Sequence, residues 1–309
     1  MSRVVAIGEV LVELSRGGDG RYGLSFGGDC FSTAVYLARL GVPTAFATAL
    51  GDDPYSRAII AAAEAAGLAT GLTVRIAGGK PGLVLVDTDE GGERRVQHWR
   101  DGASVRHLFT VEGWGLLAEA MTQASLIYLS GATLSLFDNV GLGRLLATLE
   151  VARERGAKVA FDGNFAPSHW GGDIARARAV YAESLKRIDI ALLRFADEAL
   201  LFGEASPEAT FERFAAAGIG EIVLKTGADG VLLRRGGETV RVPAAAHRDP
   251  ADPAADDAFN AGYLAARLAE QGPDAAALAG HRLAAELASN RGAIQPRTGA
   301  NGHGDDAAR

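Results

Sequence analysis

The chain has 309 residues, of which 48% are hydrophobic and 22% charged, and its formal net charge at pH 7 is −7. This is the composition of a globular protein long enough for one large domain or two small ones, and it lacks the basic stripe of a nucleic-acid binder. The single cysteine, Cys30, excludes an internal disulfide and a multi-cysteine metal site. The sequence has neither a secretory leader nor an apolar run of the roughly 18 residues that a membrane span needs. We therefore predict an acidic, cytoplasmic protein without nucleic-acid or membrane partners.

The first part of the chain alternates strands and helices. A buried strand is predicted at residues 4–7, with a possible continuation over 10–14, followed by a helix at 29–40, a strand at 44–50 and a helix at 55–66. The next stretch differs, because short alternating segments at 74–76, 82–86 and 94–99 are separated by glycine turns, which is typical of hairpins. We predict that these segments form an antiparallel flap inserted into an α/β body.

The β/α alternation then resumes. Strands are predicted at 126–130, 158–161, 188–193, 222–225 and 230–234, and helices at 139–155, 175–187, 207–217, 258–271 and 273–289. Buried apolar strands that alternate with helices indicate a parallel sheet covered on both faces. The polar residues from 297 onward are predicted to be a frayed tail.

Several familiar motifs are absent. The sequence has no phosphate-binding Gly-x-x-x-x-Gly-Lys-Ser/Thr loop, no Gly-x-Gly-x-x-Gly after the first strand and no Gly-x-Ser-x-Gly nucleophile elbow. Its six histidines lie far apart, without a helical pair of the zinc-ligand type. Four other segments remain as candidates for a site.

The first candidate segment is Phe26-Gly27-Gly28-Asp29, at the predicted start of a helix. Gly27 and Gly28 let the backbone approach a ligand closely, and the helix start offers free N–H groups. The Asp29 carboxylate could accept hydrogen bonds from sugar hydroxyls. The alternative is that Asp29 only caps the helix.

The second candidate segment is His98-Trp99-Arg100-Asp101, at the end of the flap. An aromatic ring beside an arginine on a hairpin suits closure over an anionic or hydroxylated ligand. An exposed arginine that extends along Trp99 explains the same residues.

The third candidate segment runs from Val223 to Gly230 and includes Lys225, Gly227 and the closing glycine of a Gly-x-x-Gly turn. A strand that ends in lysine, followed by this turn, could present an ammonium group and backbone amides to a nucleotide. A tight hairpin with glycines at positive φ is an equally ordinary explanation.

The fourth candidate segment, residues 254–262, opens a strongly helical stretch and contains Asp256 and Asp257. The helix dipole favours an ionised carboxylate in the first turn, where it could act as the general base for a hydroxyl. Neighbouring amides would hold a phosphoryl group. The alternative is that both residues are ordinary N-terminal helix charges.

The order of these segments along the chain resembles the ribokinase-like (PfkB) carbohydrate kinases, and most closely the 2-keto-3-deoxygluconate kinases. The resemblance covers about residues 4–296 and is carried further by Ile7-Gly8-Glu9, residues 33–41, Leu50-Gly51-Asp52-Asp53-Pro54, Leu129-Ser130-Gly131, Phe161-Asp162, Asn164, Trp170, Asp197-Glu198, Leu201-Phe202-Gly203, residues 259–264 and Gly292-Ala293-Ile294.

The resemblance implies a three-layer α/β/α sandwich with a small β-sheet lid. The kinase domain would comprise residues 1–296, with lid strands inserted at about 10–26 and 72–104, and residues 297–309 would form the polar tail. It also implies transfer of the ATP γ-phosphoryl group to a sugar hydroxyl, with Mg²⁺ and without a metal site of the protein's own. Relatives often dimerise through the lid, so a homodimer is a further expectation.

The same resemblance assigns roles to individual residues. Asp257 falls on the catalytic base. Substrate contacts are expected from Gly27, Gly28, Asp29 and Ser32, with Arg100 holding a sugar-acid carboxylate, and nucleotide contacts from Lys225, Gly227, Gly230, Ala255, Asp256 and Asn290.

The chain departs from the family's pattern at several of these places. Asp256 replaces the glycine of the anion hole, which adds negative charge beside the γ-phosphate and a Cβ where positive φ could be needed. Ser32 stands for an asparagine and Ala166 for an arginine near the substrate. Arg194 replaces the asparagine of the magnesium-associated Asn-x-x-Glu motif, with Asp197 in place of its glutamate.

We predict an ATP-dependent sugar-acid kinase, with 2-keto-3-deoxygluconate as the substrate that the pattern favours. The departures at Asp256, Ala166 and Arg194 leave two alternatives open. One is a non-catalytic protein of the same fold that binds a sugar or nucleotide through an altered anion hole. The other is a kinase for another hexose, such as fructose.

Overall fold

The structure is a computed structural model that describes residues 4–88, 94–235, 237–244 and 253–287. The strands are β1 (Val4–Ile7), β2 (Leu11–Arg16), β3 (Tyr22–Gly27), β4 (Thr44–Leu50), β5 (Thr73–Arg75), β6 (Gly82–Thr88), β7 (Arg94–Trp99), β8 (Leu126–Ser130), β9 (Lys158–Asp162), β10 (Ile190–Arg194), β11 (Glu221–Lys225), β12 (Val231–Arg235) and β13 (Glu238–Val242). The helices are α1 (Asp29–Arg39), α2 (Pro54–Ala65), α3 (Trp114–Met121), α4 (Gly131–Leu134), α5 (Asn139–Glu154), α6 (Ile174–Leu185), α7 (Phe195–Phe202), α8 (Pro207–Ala216), α9 (Pro253–Leu268) and α10 (Pro273–Leu287). Short 3₁₀ helices occur at Ser104–His107, Pro167–Trp170 and Gly227–Asp229.

The central element is a nine-stranded sheet in the order β13-β12-β11-β10-β9-β8-β1-β4-β5. Its strands run parallel from β5 to β11, whereas β12 and β13 are added antiparallel through tight hairpins. The sheet is therefore mixed rather than wholly parallel, because the predicted turn after Lys225 is too short for a crossover helix.

Alternate residues of each strand pack into two separate cores. In β1, Val5 and Ile7 face the core that α5 and α6 cover, whereas Val4 and Ala6 face the core that α1, α9 and α10 cover. Helices on both faces of one sheet make an α/β/α sandwich. The predicted fold class is confirmed. In the part of the chain that the structure describes, no helix is long and apolar enough to cross a membrane.

A second, four-stranded sheet has the order β3-β2-β6-β7. β2 pairs antiparallel with β3 and parallel with β6, and β6 pairs antiparallel with β7. The strand expected in this flap at 74–76 was assigned wrongly, because β5 pairs with β4 at the edge of the large sheet. A three-residue strand carries no pattern that could reveal its partner. The glycine turn predicted at 91–92 lies outside the described residues, as does the predicted tail at 297–309.

Helix α9 is fixed to β11 by an ionic network at its far end. Glu221 accepts hydrogen bonds from Arg267 Nε and Nη2, both at 2.8 Å, and from the Tyr263 hydroxyl at 2.7 Å. The helix begins at Pro253 rather than at the predicted Ala258. Asp256 and Asp257 consequently lie inside its first turns, and their direction relative to the sheet is set by this anchored helix.

Candidate active site

The carboxyl ends of neighbouring parallel strands bring four charged residues to one edge of the sheet. Glu9 follows β1, Asp162 ends β9, Arg194 ends β10 and Lys225 ends β11. Open α/β sheets bind ligands at this edge, since the loops that follow the strands meet there. The charged cluster therefore marks the candidate site.

Asp257 enters this edge from α9 and is buried. The Thr33 hydroxyl donates to the Asp257 carbonyl oxygen at 3.3 Å, which ties α1 to α9. Burial raises the pKa of Asp257 well above its usual range, and the nearby carboxylates of Asp29 and Asp162 raise it further. A carboxyl group held in this way has the elevated basicity that general-base chemistry requires.

A buried hydrogen-bond network connects the strand ends with α9. Lys225 Nζ donates to Asn260 Oδ1 at 3.2 Å, and Asn260 Nδ2 donates to Asp162 Oδ2 at 3.0 Å and to the Tyr128 hydroxyl at 3.1 Å. Burial raises the pKa of Asp162 to about 7, although Lys225 opposes the shift. The network fixes the Lys225 ammonium group beside the carboxylates.

Asp256 lies between two cations. Its carboxylate oxygens are 3.4 Å from Arg194 Nε and 3.8 Å from Lys225 Nζ. Among the described residues, positive φ at non-glycine positions occurs at Asn164 and Glu270, so the helical backbone at Asp256 carries no left-handed strain. The backbone at position 256 therefore accommodates a Cβ, contrary to the conflict expected from the sequence. The added negative charge of Asp256 is present and is paired with Arg194 and Lys225.

The start of α1 supplies a second wall of the site. Asp29 Oδ2 accepts a hydrogen bond from Asn164 Nδ2 at 2.7 Å, and its Oδ1 accepts from the Cys30 amide at 2.7 Å. Gly28 has a φ of +150°, and a Cβ at that position would overlap the carbonyl oxygen of Glu9. A glycine is thus required at position 28 for α1 to begin directly against the end of β1.

Arg100, at the end of β7, forms an ion pair with Glu9. Its Nε donates to Glu9 Oε2 at 2.5 Å, and the side chains are 13% and 4% exposed. Burial raises the pKa of Glu9, and Arg100 opposes that shift. Of the described residues, only Glu9 accepts a hydrogen bond from Arg100. The ion pair occupies Nε of the guanidinium, which has two further NH₂ groups that can donate hydrogen bonds.

Two imidazole rings contact each other near the Arg100–Glu9 pair, one from β7 of the small sheet and one from the 3₁₀ helix at Pro167–Trp170. The rings of His98 and His169 are 5.8 Å apart, edge to face. Burial, and after it the Arg100 cation, lower the pKa of His169 to about 4. The His169 ring is therefore neutral at pH 7.

The remaining predicted residues surround this centre. Gly227 and Gly230 both have positive φ in the turn after β11, and a Cβ at Gly230 would overlap the Val242 carbonyl oxygen. Hairpin geometry therefore accounts for Gly230 on its own. Ser32 and Ala255 are buried, at 0% and 1% exposure, and the Ser32 hydroxyl has no partner among the described residues. Asn290 lies outside the described residues.

The structure thus gathers Asp29, Lys225, Asp256 and Asp257 around one centre, with Arg100 held by Glu9 at the end of β1. Glu9, Asp162 and Asn260 were not among the site residues predicted from the sequence. Asp162 and Glu9 could have been found from their positions at strand ends. Asn260 could have been found because it lies one helical turn beyond Asp256 and Asp257.

Comparison with known proteins agrees with this geometry. Residues 1–298 match the family described as pfkB family carbohydrate kinase. The 2-dehydro-3-deoxygluconokinase of Dickeya dadantii (strain 3937) is 36% identical over 302 residues, covering 95% of this chain and 96% of the relative. A fructokinase of Vibrio alginolyticus is 25% identical over 233 residues, 75% of this chain and 73% of its own.

Solved structures show the same fold. A putative ribokinase II from E. coli, in complex with ATP and Mg²⁺, superposes with a TM-score of 0.82 at 21% identity and covers 95% of each chain. The family model and a relative above 30% identity both match nearly the whole length of the chain. These matches agree with the fold and with the charged residues at the strand ends. The chain belongs to the pfkB family of carbohydrate kinases.

Proposed function

We propose that the protein transfers the γ-phosphoryl group of ATP to a hydroxyl of 2-keto-3-deoxygluconate, also named 2-dehydro-3-deoxygluconate. The observation that carries the proposal is the position of Asp29 between two functional groups. Its charge raises the pKa of Asp257 on one side and that of Glu9, the partner of Arg100, on the other. The Asp29 carboxylate is thus near enough to act electrostatically on both the proposed base and the ion-pair partner of Arg100.

Asp257 is the general base in this proposal. Its carboxylate takes the proton of the sugar hydroxyl as that oxygen bonds to the γ-phosphorus, and ADP leaves with the electrons of the broken P–O bond. Gly27, Gly28 and Asp29 line the sugar, with Ser32 behind them, and the NH₂ groups of Arg100 bind its carboxylate in a charge-assisted contact. Burial of the base strengthens its interaction with the proton that it accepts.

The nucleotide is expected along the ends of β10 and β11. Lys225, Gly227, Gly230, Ala255, Asp256 and Asn290 are the proposed contacts. Mg²⁺ enters as part of the substrate MgATP, held largely by phosphate oxygens. Within the described residues, no group of three or more His, Cys, Asp or Glu side chains could hold a metal ion by itself. Because the reaction consumes ATP, we place the protein in the cytoplasm.

The direct test is release of ADP by the purified protein with MgATP and 2-keto-3-deoxygluconate. We expect ADP to form only when the sugar acid is present, together with one phosphorylated product of matching amount by mass spectrometry. Ligand-dependent thermal stabilisation without ADP would instead indicate a binding protein of this fold. Turnover with fructose but not with the sugar acid would assign a hexose kinase.

We also propose that residues 1–296 form one catalytic unit and that the small sheet is its lid and dimer interface. One face of that sheet presents Tyr22, Leu24 and Trp99, which are 45%, 51% and 55% exposed. Cross-strand pairing places Leu14 opposite Leu24, and Leu83 opposite Trp99, so this face carries an apolar patch, with Arg16 opposite Tyr22 at its border. A monomer rarely exposes such a face, whereas a two-fold dimer buries it against its copy.

Light scattering after size exclusion measures the dimer directly. We expect twice the monomer mass for the wild type and the monomer mass for Leu24→Lys, because a buried unpaired charge is costly in an interface. A monomeric wild type at micromolar concentration would contradict this assembly.

A further inference from the structure

Arg194 and Lys225 lie side by side at the carboxyl ends of β10 and β11. They are the last residues of adjacent parallel strands and are directly in register. One carboxylate, that of Asp256, faces both: its Oδ2 is 3.4 Å from Arg194 Nε and its Oδ1 is 3.8 Å from Lys225 Nζ. The Asp256 side chain is 13% exposed, so this pairing is made largely away from bulk water.

The surroundings of Asp256 are already acidic. Its charge raises the pKa values of Asp162, Asp197 and Asp257. Lys225 alone cannot balance these groups, because its ammonium also donates to Asn260 and lies 3.9 Å from Asp162. The second cation is Arg194, whose Nε is also 3.9 Å from Asp197. Without it, an incoming polyphosphate would meet a net negative edge.

We propose that Arg194 is a positioning residue that acts through Asp256. Its guanidinium holds the Asp256 carboxylate against the ends of β10 and β11 and cancels the charge of that carboxylate. An acidic residue beside the base is then compatible with an anionic phosphoryl group. The two departures from the family's pattern, at 194 and 256, are then one matched change. The inference rests on the proposed function in so far as the anion is the phosphate chain of ATP.

If the two residues act as a pair, the affinity for MgATP should fall in the single variant and recover in the double variant. In Arg194→Ala, the Asp256 carboxylate loses one of its two cations and repels the nucleotide, so the affinity for MgATP falls by about tenfold or more. In Asp256→Gly/Arg194→Ala, that carboxylate is gone, and the affinity returns to within about threefold of Asp256→Gly. Arg194→Lys keeps the charge and retains most of the wild-type affinity.

The experiment is isothermal titration of MgATP into these variants, with the melting temperature of each recorded to verify folding. Arg153→Ala is the matched control, because it breaks another arginine–aspartate ion pair, between α5 and the residue that precedes β10, at the opposite end of that strand from Arg194. Arg153 binds Asp189 with Nε at 3.1 Å and Nη2 at 3.2 Å. We expect this control to change stability but not the affinity for MgATP.

An equal loss of affinity on Arg194→Ala with and without Asp256→Gly would overturn the inference, since Arg194 would then contact the nucleotide itself. So would an unchanged affinity in Arg194→Ala. In turnover assays, we expect the KM for ATP to rise in Arg194→Ala while the KM for the sugar stays constant, which a general loss of structure would not produce.

These binding measurements separate the inference from the proposed function. A wild type that binds MgATP and shows the coupling, yet phosphorylates no sugar, would refute the proposed function and leave the pair intact. A wild type that phosphorylates the sugar acid without coupling between the two substitutions would refute the pair alone. A wild type that does not bind MgATP would refute both.

Discussion

Replacing Asp257 by asparagine is expected to lower kcat by about 10²–10⁴-fold, because the amide cannot accept the proton of the substrate hydroxyl. The same change should raise the melting temperature. Burial and the charges of Asp29, Asp162 and Asp256 raise the pKa of Asp257, and Lys225 acts in the opposite direction. The folded state therefore disfavours the carboxylate, and a neutral side chain of equal shape relieves that cost.

The measurement is kcat by coupled ADP release, together with a thermal melt of each variant. Asp274→Asn is the matched control, because Asp274 lies in the first turn of α10 and is exposed, away from the site. It should change neither quantity appreciably. Full turnover in Asp257→Asn would remove the proposed base, and a lower melting temperature would contradict the assigned electrostatics.

Replacing Arg100 by alanine is the substitution with the largest expected effect on stability. It leaves the Glu9 carboxylate, 4% exposed, without its ion-pair partner. Removal of one member of a buried ion pair typically costs about 3–5 kcal/mol, a large part of the free energy of unfolding of an ordinary domain. Urea denaturation should show this loss as a lower midpoint.

A double variant separates stability from recognition. Arg100→Met/Glu9→Gln removes both charges and should recover most of the free energy of unfolding, because no buried charge is left unpaired. Its KM for the sugar acid should still rise by about tenfold or more, since the carboxylate has lost its cation, while the KM for ATP stays unchanged. A free-energy loss below about 1 kcal/mol in Arg100→Ala would contradict the buried pairing. An unchanged KM in the double variant would remove Arg100 from substrate binding.

The local pattern of apolar residues correctly predicted the strands and helices in which that pattern is strong. The bounds of β4 and β8 agree with the prediction to the residue, because each is a short, mostly apolar run that is buried along its whole length. Helices α3 and α7 were missed: α3 is short and exposes much of its surface, and α7 begins directly after β10 without a linker. Strand β13 was missed because an exposed edge strand carries little apolar alternation. Strand β3 falls at the end of the lid stretch at about 10–26 that the resemblance implied, although its pattern did not mark its bounds.

The site divides in a similar way. Asp29 and Asp257 are recognisable because carboxylates at helix starts beside glycine and small residues form a local pattern. The pairing of Arg194 with Asp256, and that of Arg100 with Glu9, is invisible in the sequence, because each joins residues that only the sheet order brings together. The departures at 194 and 256 consequently look like two separate defects in the sequence, whereas the structure makes them one ion pair.

The preference of the enzyme for a sugar acid over a neutral sugar is given by the ratio of its specificity constants. The measurement is kcat/KM for 2-keto-3-deoxygluconate and for fructose, with MgATP saturating and gluconate as a third substrate. We expect the sugar acid to be preferred over fructose by on the order of 100-fold or more, because fructose has no carboxylate for Arg100. An equal or higher kcat/KM for fructose, or no ADP from any of the three, would contradict the account.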